Sequence, residues 1–326
     1  MVARFLIDVE LGRAPSTLRA RRSAMGRWLE FLEARDRRPA RVAELDEEPL
    51  VDFARWVSAP VLARDTADVL VSGVVNFYAF LVREKIRPDL PLVAVKLRVA
   101  ALRGRRPRRL PRVPADDVVD RVLAAARAYR PKNLGPRRAE LACLRNVALV
   151  ETLRGAGLRV SEACGLRRGD LRPDRSAIVL GKGAKQRLVL FDDGAAAAIA
   201  SYHAARADRG PLGALPVFAR HDVKVGPATC HPMDPDGVRS VVHALARTAG
   251  LADAKLTPHR FRAWFATHVG GATGDLAATQ ELLGHVDPAT TRVYLQVADQ
   301  RLRDVHRRAF PAGAPPGAPA ERGAPA

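Results

Sequence analysis

The chain has 326 residues, 48% of them hydrophobic, which is enough for one large domain or two of ordinary size with a real core. Its apolar runs are short and broken by Arg, Asp or Gly, and the opening MVARFLIDVELGR carries acids where a signal peptide keeps an apolar run, so a soluble cytoplasmic protein with no membrane partner and no membrane-length helix is expected. The formal net charge of +19 points to a polyanionic partner, since each phosphate contact releases counterions, although a composition rich in Arg and Ala raises the charge by itself.

Residues 1–102 read as a small all-helical domain. Ser16 or Thr17 can cap a helix carrying Leu18, Met25, Trp28, Leu29, Phe31 and Leu32. Asp46 starts another, with Leu50, Phe53, Ala54 and Val57 on its apolar face. A third run holds Val69, Val71, Val74, Val75, Phe77, Tyr78, Phe80 and Leu81. Residues 103–115 form a basic Arg/Pro linker with Arg103, Arg105, Arg106, Arg108, Arg109 and Arg112, and no acid before Asp116. Its prolines keep it extended, so it can lie along a nucleic-acid backbone; the plainer alternative is a solvated linker.

A second domain, 116–310, follows. Helices are expected over roughly 116–130 and 138–153. Two β-rich runs, Ala177–Leu180 and Arg187–Phe191, flank a glycine-containing turn and predict a hairpin. Helical patterns resume over Gly194–Ala207, Asp236–Ala249, 260–270 and 275–283. Asp287 caps a further helix with Pro288 at its first position, and another runs from Asp299 to Phe310. Residues 311–326, Pro, Gly and Ala without periodicity, are expected to be disordered. The fold class is mainly α with a small β-hairpin. Cys143, Cys164 and Cys230 are odd in number and far apart, so they indicate buried reduced thiols rather than a zinc site or disulfide framework. Neither a phosphate-cradling glycine loop nor an HExxH motif is present.

Four segments can carry chemistry: GLRVSEACGL (157–166), LGKGAKQRLVLF (180–191), TPHRFRAWFATH (257–268) and LLGHVDPATTRVYLQVA (282–298). Each has a plain explanation alone. Arg159 fits a surface charge, Lys182 a hairpin-turn lysine, His259 and Arg262 a helix start, His285 a helix end, and Tyr294 a core aromatic with a wet hydroxyl. Together they supply the parts for attack of a tyrosine oxygen on a phosphodiester. Two arginines can hold the non-bridging oxygens in a fork that lysine cannot copy. A lysine on a hairpin tip can protonate the leaving oxygen, and a positive pocket with a base activates the tyrosine, whose free pKa is about 10. Arginine charge makes a metal or other cofactor unnecessary. His259 and Arg262, three apart, share a helix face.

These motifs resemble the tyrosine recombinase (phage integrase) family, most of all its Xer-type members, over residues 13 to 310. The family shows GLRxSE, GKGxKxR, HxLRHxFAT and LGHxxxxTTxxY in this order; here they stand as GLRVSE, GKGAKQR, HRFRAWFAT and LGHVDPATTRVY. The resemblance implies a SAM-like core-binding domain and a catalytic domain closing on duplex DNA. It implies Arg159 and Arg262 as phosphate clamps, Glu162 as support for Arg159, and Lys182 as general acid with Lys185 as fallback. It further implies His259 as general base, His285 as a hydrogen-bonding partner, and Tyr294 as nucleophile forming a 3′-phosphotyrosyl bond without ATP. Arg19, Arg21 and Arg22 become candidate backbone contacts. The last helix, with Leu302, Val305, Ala309 and Phe310, packs on the same chain or on a neighbouring protomer in a tetrameric synapse, a homo-oligomer or one shared with a second recombinase. Dimer resolution, integration and transposition all fit, and the Xer likeness favours resolution. The sequence departs from the family at Phe261, Ala263 and Trp264, which read as packing changes around an intact clamp. The alternatives are a type IB topoisomerase and a catalytically silent DNA-binding relative.

Overall fold

The computed structural model describes residues 1–13, 15–35, 42–58, 62–103, 112–181, 186–208, 211–221 and 230–284. The chain divides into two compact units, Met1–Arg108 and Arg109–Ala326.

Among the described residues the regular elements of the first unit are helical: α1 (Val2–Gly12), α2 (Pro15–Glu33), α3 (Glu48–Ser58), α4 (Arg64–Arg83) and α5 (Leu92–Arg103). α2 begins at Pro15, one residue before the expected caps, because proline is pre-set for a first helical position; Ser16 and Thr17 lie inside the first turn. The Glu47 carbonyl takes the first helical bond of α3, from Val51 N at 3.2 Å, and Asp46 precedes it, its Oδ1 accepting from Glu48 N at 3.0 Å. The Asp46 carbonyl also accepts from the buried Tyr78 hydroxyl at 2.9 Å, so the start of α3 is pinned to α4.

By length and composition α4 is apolar enough to cross a membrane, contrary to the sequence expectation that no helix would be. Its apolar residues are spent on the core instead. Leu70, Val71, Val74, Phe77, Tyr78, Phe80 and Leu81 are buried among Phe5, Met25, Trp28 and Phe53. A Cβ added at Gly73 would lie 2.2 Å from the Ala24 Cβ, so glycine lets α4 approach α2 closely. Arg103 is the last residue of α5 rather than the start of a linker, and its guanidinium pairs with Asp68.

The second unit holds α6 (Asp116–Ala128), α7 (Pro136–Gly155), α8 (Val160–Gly165), β1 (Ser176–Leu180), β2 (Gln186–Leu190), α9 (Asp193–Arg206), α10 (Pro235–Thr248), α11 (Pro258–Thr273) and α12 (Leu276–Leu283). α7 is its central rod, packed against α6, α9 and α11. β1 and β2 form an antiparallel pair in which Ile178 faces Leu188. Ala177, Val179 and Val189 turn into the core, while Leu180, Leu188 and Leu190 turn out. Side chains cap four of the helices: Asp192 for α9, Asp234 for α10, Thr257 for α11 and Asp275 for α12. The three cysteines are free, but only Cys143 is buried; Cys164 and Cys230 are half-buried. The helices expected from Asp287 and from Asp299, and the tail, lie outside the described residues.

Candidate active site

The site begins where α7 ends. Gly157 takes φ +56°, and a Cβ there would meet the Phe265 ring at 2.4 Å, so both backbone and packing require glycine. The turn delivers Arg159 to the start of α8. Arg159 N donates to Glu162 Oε2 at 2.8 Å, and Arg159 Nη1 donates to Glu162 Oε1 at 2.6 Å. The Glu162 side chain is 1% exposed.

Two further arginines converge from distant segments. Arg187, on the inner side of β2, donates through Nη2 to Glu162 Oε2 at 2.7 Å and through Nη1 to the Leu282 carbonyl at 2.5 Å. Arg262, in the second turn of α11, donates through Nη1 to the Gly157 carbonyl at 2.5 Å and through Nη2 to the Leu283 carbonyl. Its guanidinium lies 4.0 Å from Glu162 Oε2. Arg159 Nη2 donates to the Gly284 carbonyl at 3.0 Å. Gly284 caps α12 at φ +60°, with no room for a Cβ beside Arg187 Cδ at 2.4 Å. The GLR turn, the hairpin, the start of α11 and the end of α12 are thus tied together by side chains the four motifs contain.

Electrostatics follow from this geometry. Burial alone pushes the Glu162 carboxyl up. The hydrogen bond and charge of Arg187, and then the bonds from Arg159, outweigh it and hold the pKa below the ordinary carboxylate value. Three guanidiniums face one carboxylate, which leaves the pocket with excess positive charge suited to a phosphodiester. Arg159 is the most open of the three, with its side chain 31% exposed against 9% for Arg187 and 4% for Arg262. His259, at the solvent-facing first turn of α11, has its pKa lowered by partial desolvation first and the Arg262 charge second. Its imidazole is therefore neutral at pH 7 and able to accept a proton.

The other predicted residues divide into those the structure describes and those it does not. Arg19 and Arg22 are exposed on α2. Arg21 is half-buried, its Nη1 at 3.4 Å from Ser72 Oγ, and burial followed by the nearby Arg13 lowers its pKa, so it helps join α2 to α4. Arg112 is exposed. Arg105, Arg106, Arg108, Arg109, Lys182, Lys185, His285 and Tyr294 lie outside the described residues. Ala263 and Trp264 are packed rather than disruptive: Trp264 Nε1 donates to Asp116 Oδ1 at 2.6 Å, and its ring stacks on His268 at 4.6 Å. Phe261 is fully buried. Sequence reasoning gave Arg187 no role. The available signal was a charge on the inward register of an apolar strand, two residues before the buried Val189.

Residues 116–301 match the phage integrase family, and residues 2–85 match its N-terminal SAM-like domain. "Tyrosine recombinase XerC" of Rhodospirillum centenum (strain ATCC 51521 / SW) is 35% identical over 94% of this chain and 84% of its own length. "Tyrosine recombinase XerD" of Bradyrhizobium diazoefficiens is 31% identical over 94% of each. Among solved structures, XerH bound to its palindromic difH substrate in a post-cleavage complex superposes with a TM-score of 0.62 at 19% identity, covering 86% of this chain and 76% of that one. The Tn1549 transposon integrase with transposon right-end DNA gives a TM-score of 0.62 at 16% identity, covering 95% and 99%. These two likenesses concern the fold.

Fold, site and relatives define a site-specific recombinase that cleaves and rejoins DNA, and they do not favour a topoisomerase or a silent relative. The chain belongs to the phage integrase family, among the tyrosine recombinases.

Proposed function

We propose that the chain exchanges duplex DNA strands through a Tyr294 phosphotyrosine, with Arg159 and Arg262 as the charged cradle of the scissile phosphate. The observation that carries this is the convergence of Arg159 and Arg262 on the Gly157 and Gly284 turns around the buried Glu162. Tyr294 follows the Gly284 turn closely in sequence, which favours its reaching the same phosphate. The tyrosine oxygen attacks phosphorus, a P–O bond to Tyr294 forms, and the P–O5′ bond breaks. The phenolic proton goes to neutral His259, and Lys182 protonates the departing 5′ oxygen. His285 donates to a phosphoryl oxygen, and Glu162 keeps Arg159 oriented. Attack by a 5′ hydroxyl reverses the step and conserves the bond energy.

The helical unit, the Arg/Pro segment that follows Arg103 and the catalytic unit 116–310 each contact the duplex, and the exposed Arg19, Arg22 and Arg112 meet phosphates. The recombinase acts as a tetramer on two sites, in the cytoplasm where its DNA lies. Likeness to XerC and XerD favours resolution of DNA multimers over integration. The test is trapping on nicked duplexes carrying the protein's own site. Wild type yields a protein–DNA adduct that survives denaturation, whereas Tyr294→Phe binds equally and yields none. An adduct of undiminished amount in Tyr294→Phe refutes the assignment.

A further inference from the structure

We propose that Arg187 is a positioning residue for strand cleavage: from the inner side of β2 it locks the Glu162 carboxylate to the end of α12 and thereby fixes how Arg159 presents its guanidinium. The proposal rests on the clamp role given to Arg159 above and adds a residue outside that set.

β2 alternates plainly. Gln186, Leu188 and Leu190 are exposed, and Val189 is buried. Arg187 shares the inward side with Val189, and its side chain is 9% exposed. A charge there is costly unless it is paired and hydrogen-bonded. Arg187 meets that condition in two directions. Nη2 donates to Glu162 Oε2 at 2.7 Å, and Nη1 donates to the Leu282 carbonyl at 2.5 Å. A planar fork can serve a carboxylate and a carbonyl together, which a lysine ammonium on a flexible stem does poorly.

One support of Arg159 is the carboxylate that Arg187 binds, and the other lies beside the Arg187 side chain. Arg159 leans on Glu162 Oε1 at 2.6 Å and on the Gly284 carbonyl at 3.0 Å. Arg187 binds the other oxygen of the same carboxylate, and its Cδ fills the space a Cβ at Gly284 would need. Arg159 is the more open side chain and Arg187 faces inward, so Arg187 acts through Arg159 and not on DNA. Because Arg187 lies in β2 and Leu282 in α12, the same bonds tie the hairpin to the α12 end.

Among the described residues, the charged groups facing Glu162 are Arg159, Arg187 and Arg262. From α10, which packs against α8, Asp234 and Arg239 act on Cys164. Burial is the largest influence on the Glu162 carboxyl and pushes it up, and Arg187 is the largest opposing one. Removing Arg187 therefore makes Glu162 protonate at higher pH, and a neutral Glu162 no longer aligns Arg159 by charge.

The experiment uses the full chain as Arg187→Gln, Arg187→Lys and Arg159→Lys. On free protein labelled with ¹³C at the glutamate carboxyls, the Glu162 signal, assigned by its loss in Glu162→Gln, is titrated by NMR. Single-turnover cleavage of a nicked duplex is followed across pH, and DNA affinity is measured separately. Arg187→Gln is expected to cleave about 100-fold more slowly, as misplacement of an orienting group does, with DNA affinity within about threefold of wild type. Its Glu162 titration and the acid limb of its cleavage profile both move to higher pH. Arg187→Lys returns the Glu162 titration toward wild type but stays about tenfold slow, because it cannot bridge both partners. An unmoved Glu162 titration in Arg187→Gln, or wild-type cleavage at every pH in either Arg187 variant, overturns the proposal. If Arg187→Gln does not fold, Arg187→Lys decides: slow cleavage with unchanged DNA affinity supports the proposal, and full cleavage overturns it. Wild-type cleavage in Arg159→Lys, with Glu162 still shifted in Arg187→Gln, instead overturns the clamp role of Arg159.

Discussion

Gly157→Ala perturbs the turn on which the site is built, and its cost can be worked from the structure. A residue with a Cβ at φ +56° costs about 1 kcal/mol in the left-handed region. The new methyl would lie 2.4, 2.8 and 2.9 Å from atoms of the Phe265 ring, and that ring is 9% exposed and packed in the core. Overpacking of this kind costs about 2 kcal/mol. The stiffer unfolded chain returns about 0.5 kcal/mol, leaving a net loss of about 2.5 kcal/mol. For a unit of this size that corresponds to a Tm lower by about 8 °C. The Gly157 carbonyl also accepts from Arg262, so the same variant displaces that guanidinium and slows cleavage. Calorimetry of the full chain would be compared with Gly165→Ala, where an added Cβ meets nothing within 4 Å and φ is not positive. The control should stay within about 0.5 kcal/mol of wild type. Equal stability of the two variants would refute the steric and conformational account of this turn.

Glu162→Gln breaks a carboxylate whose side chain is 1% exposed, and should cost about 3 kcal/mol by denaturant titration. Because the folded pKa lies below the ordinary 4.5, this contribution is in place above that value and is lost as pH falls through the depressed pKa. Wild type should therefore lose stability in acid more steeply than Glu162→Gln, and parallel pH profiles would contradict the pairing. Arg159→Lys keeps the charge but not the fork, and should cleave at least about 100-fold more slowly in a single-turnover assay; a near-normal rate would remove the bidentate argument.

The elements easiest to read in the sequence were helices with broad apolar faces. The three runs in the first unit and the patterns that became α6, α7, α9, α10, α11 and α12 fall into this group. α1 and α5 were not resolved as separate helices, because each buries little: Phe5 and Val9 in α1, and Val95 and Val99 in α5, where Val93 and Leu97 are 75% and 67% exposed and blur the stripe. α8 is only six residues long, too short to show a helical period. Arg159, His259 and Arg262 were singled out because their types and order match one chemistry, and Glu162 because the family motif GLRxSE contains it. Arg187 was passed over because its task is to bind other protein groups, and such a task shows only when three distant segments are seen together. Trp264 looked like a departure, yet its indole finds Asp116 at the start of α6 and so replaces one packing solution with another. Arg103 was read as part of a strap on composition alone, whereas its pairing with Asp68 makes it the closing residue of α5.

The proposed covalent joining of Tyr294 to DNA is tested by locating the site of attachment. The denatured adduct would be digested with nuclease and protease and sequenced by mass spectrometry. A nucleotide remnant is expected on the peptide that contains Tyr294, linked through its phenolic oxygen. A remnant on any other residue would contradict it.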